Sequence, residues 1–157
     1  MDAHSEEKLA QVHPELAKRV RQLADSLTFP IIVTQGLRTY AQQNALYDQG
    51  RTTPGNIVTK AQGGHSMHNF GLAVDVAPTD GMGGIDWNGK DEKWQEILAK
   101  APMCDLAEGA EWRTFPDKPH LYPQEVPANP DDAMRAIYDA GGVQAVWARY
   151  LPVDSTT

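Results

Sequence analysis

Two histidines and one aspartate stand out as residues that could hold a metal ion. The chain contains five histidines; His68 lies seven residues before Asp75, and His120 closes the tetrapeptide Asp117-Lys-Pro-His. Two imidazoles and one carboxylate form a three-ligand set that suits zinc and leaves its fourth position for water. Such an arrangement is typical of hydrolytic metal sites.

The spacing of His68 and Asp75 requires the chain to fold back between them. Along a straight strand they would be ~23 Å apart, whereas bonds to a shared ion are about 2 Å long. Gly71 lies between them and suits a turn. Alternatively, His68 is a loop histidine and Asp75 a strand-end carboxylate, each solvated or hydrogen-bonded locally. Asp75 weakens this alternative because it interrupts an apolar alternation, where an unpaired carboxylate is costly. The alternation comprises Leu72, Ala73, Val74, Val76 and Ala77.

The composition limits the classes of protein to which the chain could belong. It has 157 residues, of which 41% are apolar, and this predicts a single domain over residues 1–157 with its own core. Fourteen basic against 21 acidic residues give a net charge of −7, so we expect no nucleic-acid partner. Cys104 is the single cysteine and is interpreted as a small buried hydrophobic residue.

The sequence contains no recognisable targeting or membrane segment. Its first residues lack a basic region followed by an apolar run, and no stretch approaches the ~18 apolar residues of a membrane span. We therefore expect synthesis in the cytoplasm without a signal peptide and no membrane partner. We also expect the protein to be a monomer.

Apolar spacing predicts two helices and a strand in the first third of the chain. An amphipathic region from Ser5 is divided by Pro14 into a short helix that ends near Val12 and a longer helix. The β-branched residues 29–34 predict a strand. A capping box formed by Thr39 and Gln42 predicts a helix that ends near residue 49.

The remaining sequence predicts loops that alternate with short elements. Residues 51–70 indicate a long irregular loop, residues 72–76 a strand, and residues 91–100 a helix. Residues 111–122 indicate two extended segments. A final helix is predicted over 129–151, with Asn129 as its cap, Pro130 as its first residue and a break at Gly141-Gly142. We expect it to pack on the core through Met134, Ile137, Val146 and Trp147.

The segment around His68 carries a long motif. Ser66, His68, Gly71, Ala73 and Asp75 form Ser-x-His-x-x-Gly-x-Ala-x-Asp. With it, the chain resembles the zinc peptidases that include phage-type L-alanyl-D-glutamate endopeptidases and D-alanyl-D-alanine carboxypeptidases and dipeptidases, and that share the hedgehog fold. The resemblance covers roughly residues 12–122 and is closest to the phage endolysins. It also includes 36–39, 50–52, 57–59, 112–115 and 117–120.

The resemblance implies a role for each matching residue. His68, Asp75 and His120 would bind one Zn²⁺ per chain, and Asp117 would be the catalytic acid/base, with Glu111 as the local rival. Arg38 would bind substrate and stabilise the oxyanion, whereas Ser66 would bind the substrate backbone or order the loop. The other histidines, His4, His13 and His65, are not expected to bind metal.

The resemblance also implies a fold and a function. The fold would be α+β, with a small antiparallel sheet that carries the zinc ligands and helices packed on one side. The function would be hydrolysis of the L-Ala–D-Glu bond in the peptidoglycan stem peptide, as in host-cell lysis by a phage endolysin. A D-Ala-D-Ala carboxypeptidase or dipeptidase is the alternative within enzymes. A hedgehog-like binding module without activity is a more distant alternative, and Asp117 beside His120 disfavours it.

Overall fold

The computed structural model describes residues 1–109 and 119–153. Within these ranges the helices are α1 (Ala3–Leu9), α2 (Pro14–Ser26), α3 (Tyr40–Asp48), α4 (Lys90–Lys100) and α5 (Asp132–Tyr150). The strands are β1 (Ile31–Gln35), β2 (Val74–Pro78), β3 (Leu106–Glu108) and β4 (His120–Pro123). Short 3-10 helices span Met67–Phe70 and Ala101–Cys104.

The four strands form one antiparallel sheet in the order β1-β2-β4-β3. Asp75 on β2 pairs directly with His120 on β4, and Val74 pairs with Leu121. Because side chains alternate between the faces of a sheet, Asp75 and His120 lie on one face while Val74 and Leu121 lie on the other. The predicted α+β fold with an antiparallel sheet is confirmed.

The apolar face of the sheet packs against helices in what we call the first cluster. Buried residues from α1, α2 and α4 meet residues of all four strands there. The cluster comprises Leu9, Val12, Leu16, Ala17, Val20, Leu23, Ile31, Ile32, Val33, Val74, Val76, Ala77, Trp94, Ile97, Ala101, Leu106 and Leu121.

A separate group of apolar side chains, the second cluster, surrounds the 3-10 helix Met67–Phe70 and α5. Its buried members are Met67, Phe70, Leu72, Ala73, Val126, Met134, Val146 and Leu151. Tyr40, Tyr122, Ile137, Tyr138, Trp147 and Tyr150 pack against it partly buried. All four residues expected to pack the last helix on the core therefore contribute to this cluster.

The N-terminal helices begin and end close to the predicted positions. The His13 imidazole caps α2, where its Nδ1 accepts a hydrogen bond from the Glu15 backbone N–H at 2.9 Å. The predicted capping box of α3 is present, since Thr39 and Gln42 exchange hydrogen bonds of 3.0 and 2.9 Å.

The prediction for the start of the last helix was wrong. Asp131, not Asn129, is the cap, because its carboxylate accepts the Met134 backbone N–H at 2.8 Å. Pro130 therefore precedes the helix. The break predicted at the glycine pair is present as a kink at Gly142, whose φ of 71° and ψ of −166° are not helical.

Three further differences concern the middle of the chain. The loop predicted over 51–70 ends in the 3-10 helix Met67–Phe70, and the strand after it begins at Val74 rather than at residue 72. The strand β3 was not predicted at all. Of the extended region 111–122, residues 119–122 are described and include most of β4, whereas residues 111–118 lie outside the described ranges.

Two further expectations concern the burial of Cys104 and the absence of a membrane-spanning helix. Cys104 is half-buried against the first cluster, and burial raises the pKa of its thiol, which disfavours a nucleophilic thiolate. Across the two described ranges, every helix is too short or too polar to cross a membrane.

Candidate metal centre

The structure brings His68, Asp75 and His120 together around one point. His68 Nε2 lies 3.1 Å from Asp75 Oδ1, and His120 Nδ1 lies 3.2 Å from each of these two atoms. All three side chains are buried, with relative exposures of 0% for His68, 3% for Asp75 and 4% for His120. These residues form a possible metal-binding group.

Local backbone structure explains how a seven-residue spacing can produce this contact. The 3-10 helix Met67–Phe70 ends at Gly71, whose φ of 66° lies in the left-handed region. A side chain there would also collide, because a Cβ would lie 2.9 Å from Cζ2 of Trp147. The reversal expected at Gly71 is therefore present, and β2 then carries Asp75 back alongside His68.

Ser66 and Asn69 shape the backbone around His68. Ser66 Oγ accepts the His68 backbone N–H at 3.2 Å, and the Asn69 side chain accepts the backbone N–H groups of Gly64 and Ser66. Asn69 Nδ2 also donates to the Arg38 carbonyl at 3.2 Å. Of the two roles considered for Ser66, the observed hydrogen bond matches ordering of the loop.

The hydrogen bond at the far side of the His68 ring determines its protonation. Nδ1 lies 2.8 Å from the Gly36 carbonyl, which can only accept, so Nδ1 is the donor. Burial is the largest influence on this ring and lowers its pKa, which favours the neutral form. Nε2, on the other side of the ring, faces the Asp75 carboxylate at 3.1 Å.

The ligand atoms of the three residues are close enough to share a cation. His68 Nε2, His120 Nδ1 and Asp75 Oδ1 lie within 3.2 Å of one another, so a proton or a metal ion has to lie between them. For a tetrahedral ion with bonds of about 2.1 Å, adjacent ligand atoms are about 3.4 Å apart, close to the observed separations. The donor set and its geometry thus fit a metal ion of the size of zinc.

Asp75 is held as an anion by its surroundings. Burial by itself raises the pKa of this carboxyl group, but the neighbouring His68 and His120 outweigh it and hold the pKa well below its ordinary value. Arg38 Nη2 approaches the second oxygen, Oδ2, at 3.5 Å. One carboxylate oxygen therefore faces the imidazoles while the other faces a guanidinium.

Arg38 is fixed from several directions. It is 8% exposed, its Nε donates to Gln35 at 3.1 Å, and its Nη1 donates to Gln43 at 3.2 Å. Gln43 is fully buried and donates to the Ala61 carbonyl at 2.8 Å, which ties the arginine to the loop before Ser66. Sequence reasoning missed Gln43, because within the helical pattern it is indistinguishable from the neighbouring glutamine that forms the cap.

The other three histidines do not belong to this group of ligand atoms. His4 is exposed near Glu7, His65 is exposed, and His13 is buried at the start of α2. Asp117 and Glu111, the two candidate acid/base residues, lie outside the described residues.

Comparisons with known proteins identify a family and several relatives of this chain. The sequence model of the family VanY, described as D-alanyl-D-alanine carboxypeptidase, matches residues 6–108. The peptidoglycan L-alanyl-D-glutamate endopeptidase CwlK of Bacillus subtilis is 38% identical, with 75% of this chain and 80% of CwlK covered. The L-alanyl-D-glutamate peptidase of Escherichia phage T5 is 30% identical, with 91% and 95% covered.

A solved structure extends the similarity to the fold. The L-Ala D-Glu endopeptidase ChiX of Serratia marcescens superposes with a TM-score of 0.56 at 26% identity. The superposition covers 78% of this chain and 87% of ChiX.

Proposed function

The chain belongs to the VanY family of peptidases, and on that premise we propose that it hydrolyses the L-alanyl-D-glutamate bond of the peptidoglycan stem peptide. The observation that carries the proposal is the convergence of His68, Asp75 and His120 on one point. The choice of bond is supported by the names of the Bacillus subtilis and phage relatives, which this chain matches over most of their length.

We propose one zinc ion per chain, held by His68 Nε2, Asp75 Oδ1 and His120 Nδ1. Two imidazoles and one carboxylate are the donor set of catalytic zinc sites, in which a fourth position stays open. When bound there, zinc would supply Lewis-acid activation of water and of the scissile carbonyl.

The protein's own groups keep the ligands ready for this role. The Gly36 carbonyl fixes the tautomer of His68, and Arg38 contacts Oδ2 of Asp75. Such outer contacts orient metal ligands. By the resemblance, Asp117 would accept the proton of the attacking water and pass it to the leaving amine.

Arg38 is proposed to act on the substrate as well. A planar guanidinium held by Gln35 and Gln43 is preorganised to stabilise a developing oxyanion or to bind a substrate carboxylate. Ser66 is proposed as a second, weaker contact to the substrate backbone, besides its observed hydrogen bond to His68.

The proposal also covers the extent of the domain and the place where the protein acts. We propose a single peptidase domain over residues 1–157, made in the cytoplasm and active on the cell wall after release, as a phage lysin would be. The second candidate function is a D-alanyl-D-alanine carboxypeptidase, which the description of the matching family favours.

Mass spectrometry of fragments released from purified peptidoglycan distinguishes the two functions. We expect new amino termini at D-glutamate and free L-alanine carboxyl groups on the glycan side. Loss of terminal D-alanine alone would instead establish the carboxypeptidase. A His68→Ala variant, prepared in parallel, controls for contaminating hydrolases.

The acid/base assignment is tested separately. Asp117→Ala is expected to retain zinc and the fold while hydrolysis falls about 10²- to 10⁴-fold, because the residue would move a proton and not bind the metal. Glu111→Ala is the matched control. If Glu111→Ala is inactive and Asp117→Ala is not, Glu111 is the base.

A further inference from the structure

The imidazole of His120 lies between two neighbouring strands of the sheet. His120 is the cross-strand partner of Asp75 on β2, and its Nδ1 lies 3.2 Å from Asp75 Oδ1. On the other side β4 pairs with β3, where Glu108 is opposite Leu121. The same register places Gly109, the residue after β3, opposite His120, and the Gly109 backbone N–H donates to the His120 carbonyl at 2.7 Å. The His120 ring therefore has Asp75 on one side and Gly109 on the other.

The two edges of this ring face these two neighbours. Nδ1 and Cδ2 are both bonded to Cγ and lie on opposite edges of an imidazole. Nδ1 faces Asp75, whereas Cδ2 lies where a Cβ on Gly109 would be. That Cβ would also be 3.1 Å from Cγ and 3.3 Å from Nε2, so its three nearest atoms within the described residues all belong to His120. The missing side chain at position 109 thus leaves the space that the ring occupies.

The requirement for glycine at position 109 is steric. The φ of Gly109 lies outside the left-handed region, unlike that of Gly71, so its backbone conformation would admit other residues. The buried His120 ring has little room to yield, because its Nδ1 lies 3.2 Å from both His68 Nε2 and Asp75 Oδ1. Turning the ring over would bring Nδ1 to position 109 in place of Cδ2 and leave the overlap. A side chain at 109 would therefore move Nδ1 away from the other two ligand atoms.

We propose that Gly109 is a positioning residue of the candidate metal centre, because its lack of a side chain lets His120 direct Nδ1 toward the ion. The inference rests on the metal site of the proposed function and does not depend on which bond is cleaved. Positions 75, 120 and 109 form one row across β2, β4 and the end of β3. Two of these positions supply ligands, and the third supplies space for one of them.

The test measures zinc affinity by chelator competition. Gly109→Ala is expected to bind zinc about 100-fold more weakly than wild type, because it disturbs the orientation of a ligand. At saturating zinc, NMR shifts of the ring nitrogens should show His120 Nδ1 bound to the metal in wild type and not in Gly109→Ala. A loss of stability alone would not change which nitrogen binds.

Gly84→Ala is the matched control. The φ of Gly84 also lies outside the left-handed region, and a Cβ there would also be crowded, at 2.7 Å from Asp80 Oδ2. Asp80 does not belong to the candidate metal-binding group. Gly84→Ala is therefore expected to keep the zinc affinity and the ring nitrogen shifts of wild type.

Melting temperatures of the metal-free protein test the contact itself, even if Gly109→Ala folds poorly. His120→Ala removes all three atoms that the new Cβ would meet. Adding Gly109→Ala to His120→Ala is therefore expected to leave the melting temperature unchanged, whereas Gly109→Ala alone is expected to lower it. An equal decrease in both backgrounds would show that position 109 does not act through His120 and would overturn the inference.

Two further results would also overturn it: wild-type zinc affinity in Gly109→Ala, or His120 Nδ1 still bound to zinc in that variant. Wild-type protein that binds no zinc would refute both the inference and the proposed metal site. Wild-type protein that binds zinc but does not cleave the stem peptide would refute the proposed function alone, and the measurements on Gly109→Ala would still decide the inference.

Discussion

The first cluster holds the sheet with non-directional apolar contacts, whereas the second holds the segment around His68 with hydrogen bonds and ring contacts. Trp147 Nε1 donates to the Phe70 carbonyl at 2.6 Å, and the His13 backbone N–H donates to the Gly71 carbonyl at 2.9 Å. Phe70 also meets Tyr40 and Tyr138 edge to face.

We infer from this difference that the first cluster mainly stabilises the fold, whereas the second also positions the segment that carries His68. Apolar burial scales with area and tolerates small shifts of the partners. A hydrogen bond to one carbonyl constrains distance and angle. We therefore expect damage to the first cluster to reduce the free energy of unfolding, and damage to the second to reduce metal affinity as well.

The largest expected effect comes from removing one of the two candidate histidine ligands, which belong to neither cluster. His68→Ala or His120→Ala should abolish stoichiometric zinc, measured by elemental analysis, together with hydrolysis. A two-ligand remnant lacks the donor set of a catalytic zinc site. Retention of one zinc per chain in both variants would contradict the site.

A cavity in the first cluster should destabilise the protein without altering the site. Leu16 on α2 is fully buried, so Leu16→Ala is expected to lower the free energy of unfolding by about 2–5 kcal/mol. Zinc affinity of the folded protein, measured by chelator competition, should stay at the wild-type value. A parallel loss of affinity would remove the distinction between the clusters.

A smaller change in the second cluster should lower zinc affinity as well as stability. Trp147→Phe keeps a ring but removes the donor to Phe70, at an expected cost of about 1–3 kcal/mol, and zinc affinity should fall about tenfold. Trp94→Phe is the matched control. Trp94 is buried in the first cluster, and its Nε1 has no hydrogen-bond partner in residues 1–109 and 119–153. Equal zinc affinities for both variants would refute the positioning role.

The smallest effect concerns His13, whose ring joins the ends of two helices. Nδ1 caps α2, and Nε2 donates to the Leu151 carbonyl at 2.7 Å, so the ring is neutral. Burial lowers the pKa of His13, opposed by the Leu151 carbonyl and by Glu15, while Arg19 lowers it further.

Since the pKa of folded His13 lies below the ordinary value of about 6.5, the unfolded chain binds the proton first as pH falls. The stabilisation is therefore complete above about pH 6.5 and is lost as pH decreases through the folded pKa. His13→Asn retains an acceptor for the cap but cannot titrate in this range. Its melting temperature should decrease less between pH 7 and 5 than that of wild type, and equal slopes would exclude the effect.

The sequence predicted the elements and motifs that depend on local chemistry. The capping box at Thr39, the reversal at Gly71 and the division of the first helices at Pro14 all follow from residue type and spacing, and each is present. The three candidate ligands were predicted as a group because the carboxylate interrupts an apolar strand and because the motif is long.

Long-range contacts could not be predicted in the same way. Nothing in the sequence indicates that His120 presents Nδ1 while His68 presents Nε2, because this depends on the β2–β4 register. The start of the last helix was misplaced because Asn129, Pro130 and Asp131 each satisfy a local rule. The three-residue strand β3 is too short to show a period.

The strand order has a consequence for how the chain reaches its native state. His120 must close a connection of 45 residues to pair with Asp75, and β4 occupies an interior position of the sheet. Closing so long a loop costs entropy before any contact rewards it, and pairings of this kind form slowly. A metal held by His68, Asp75 and His120 would thus find its full donor set only after β2 and β4 have paired. During synthesis, a chain on the ribosome cannot assemble the complete ligand set until residue 120 has emerged.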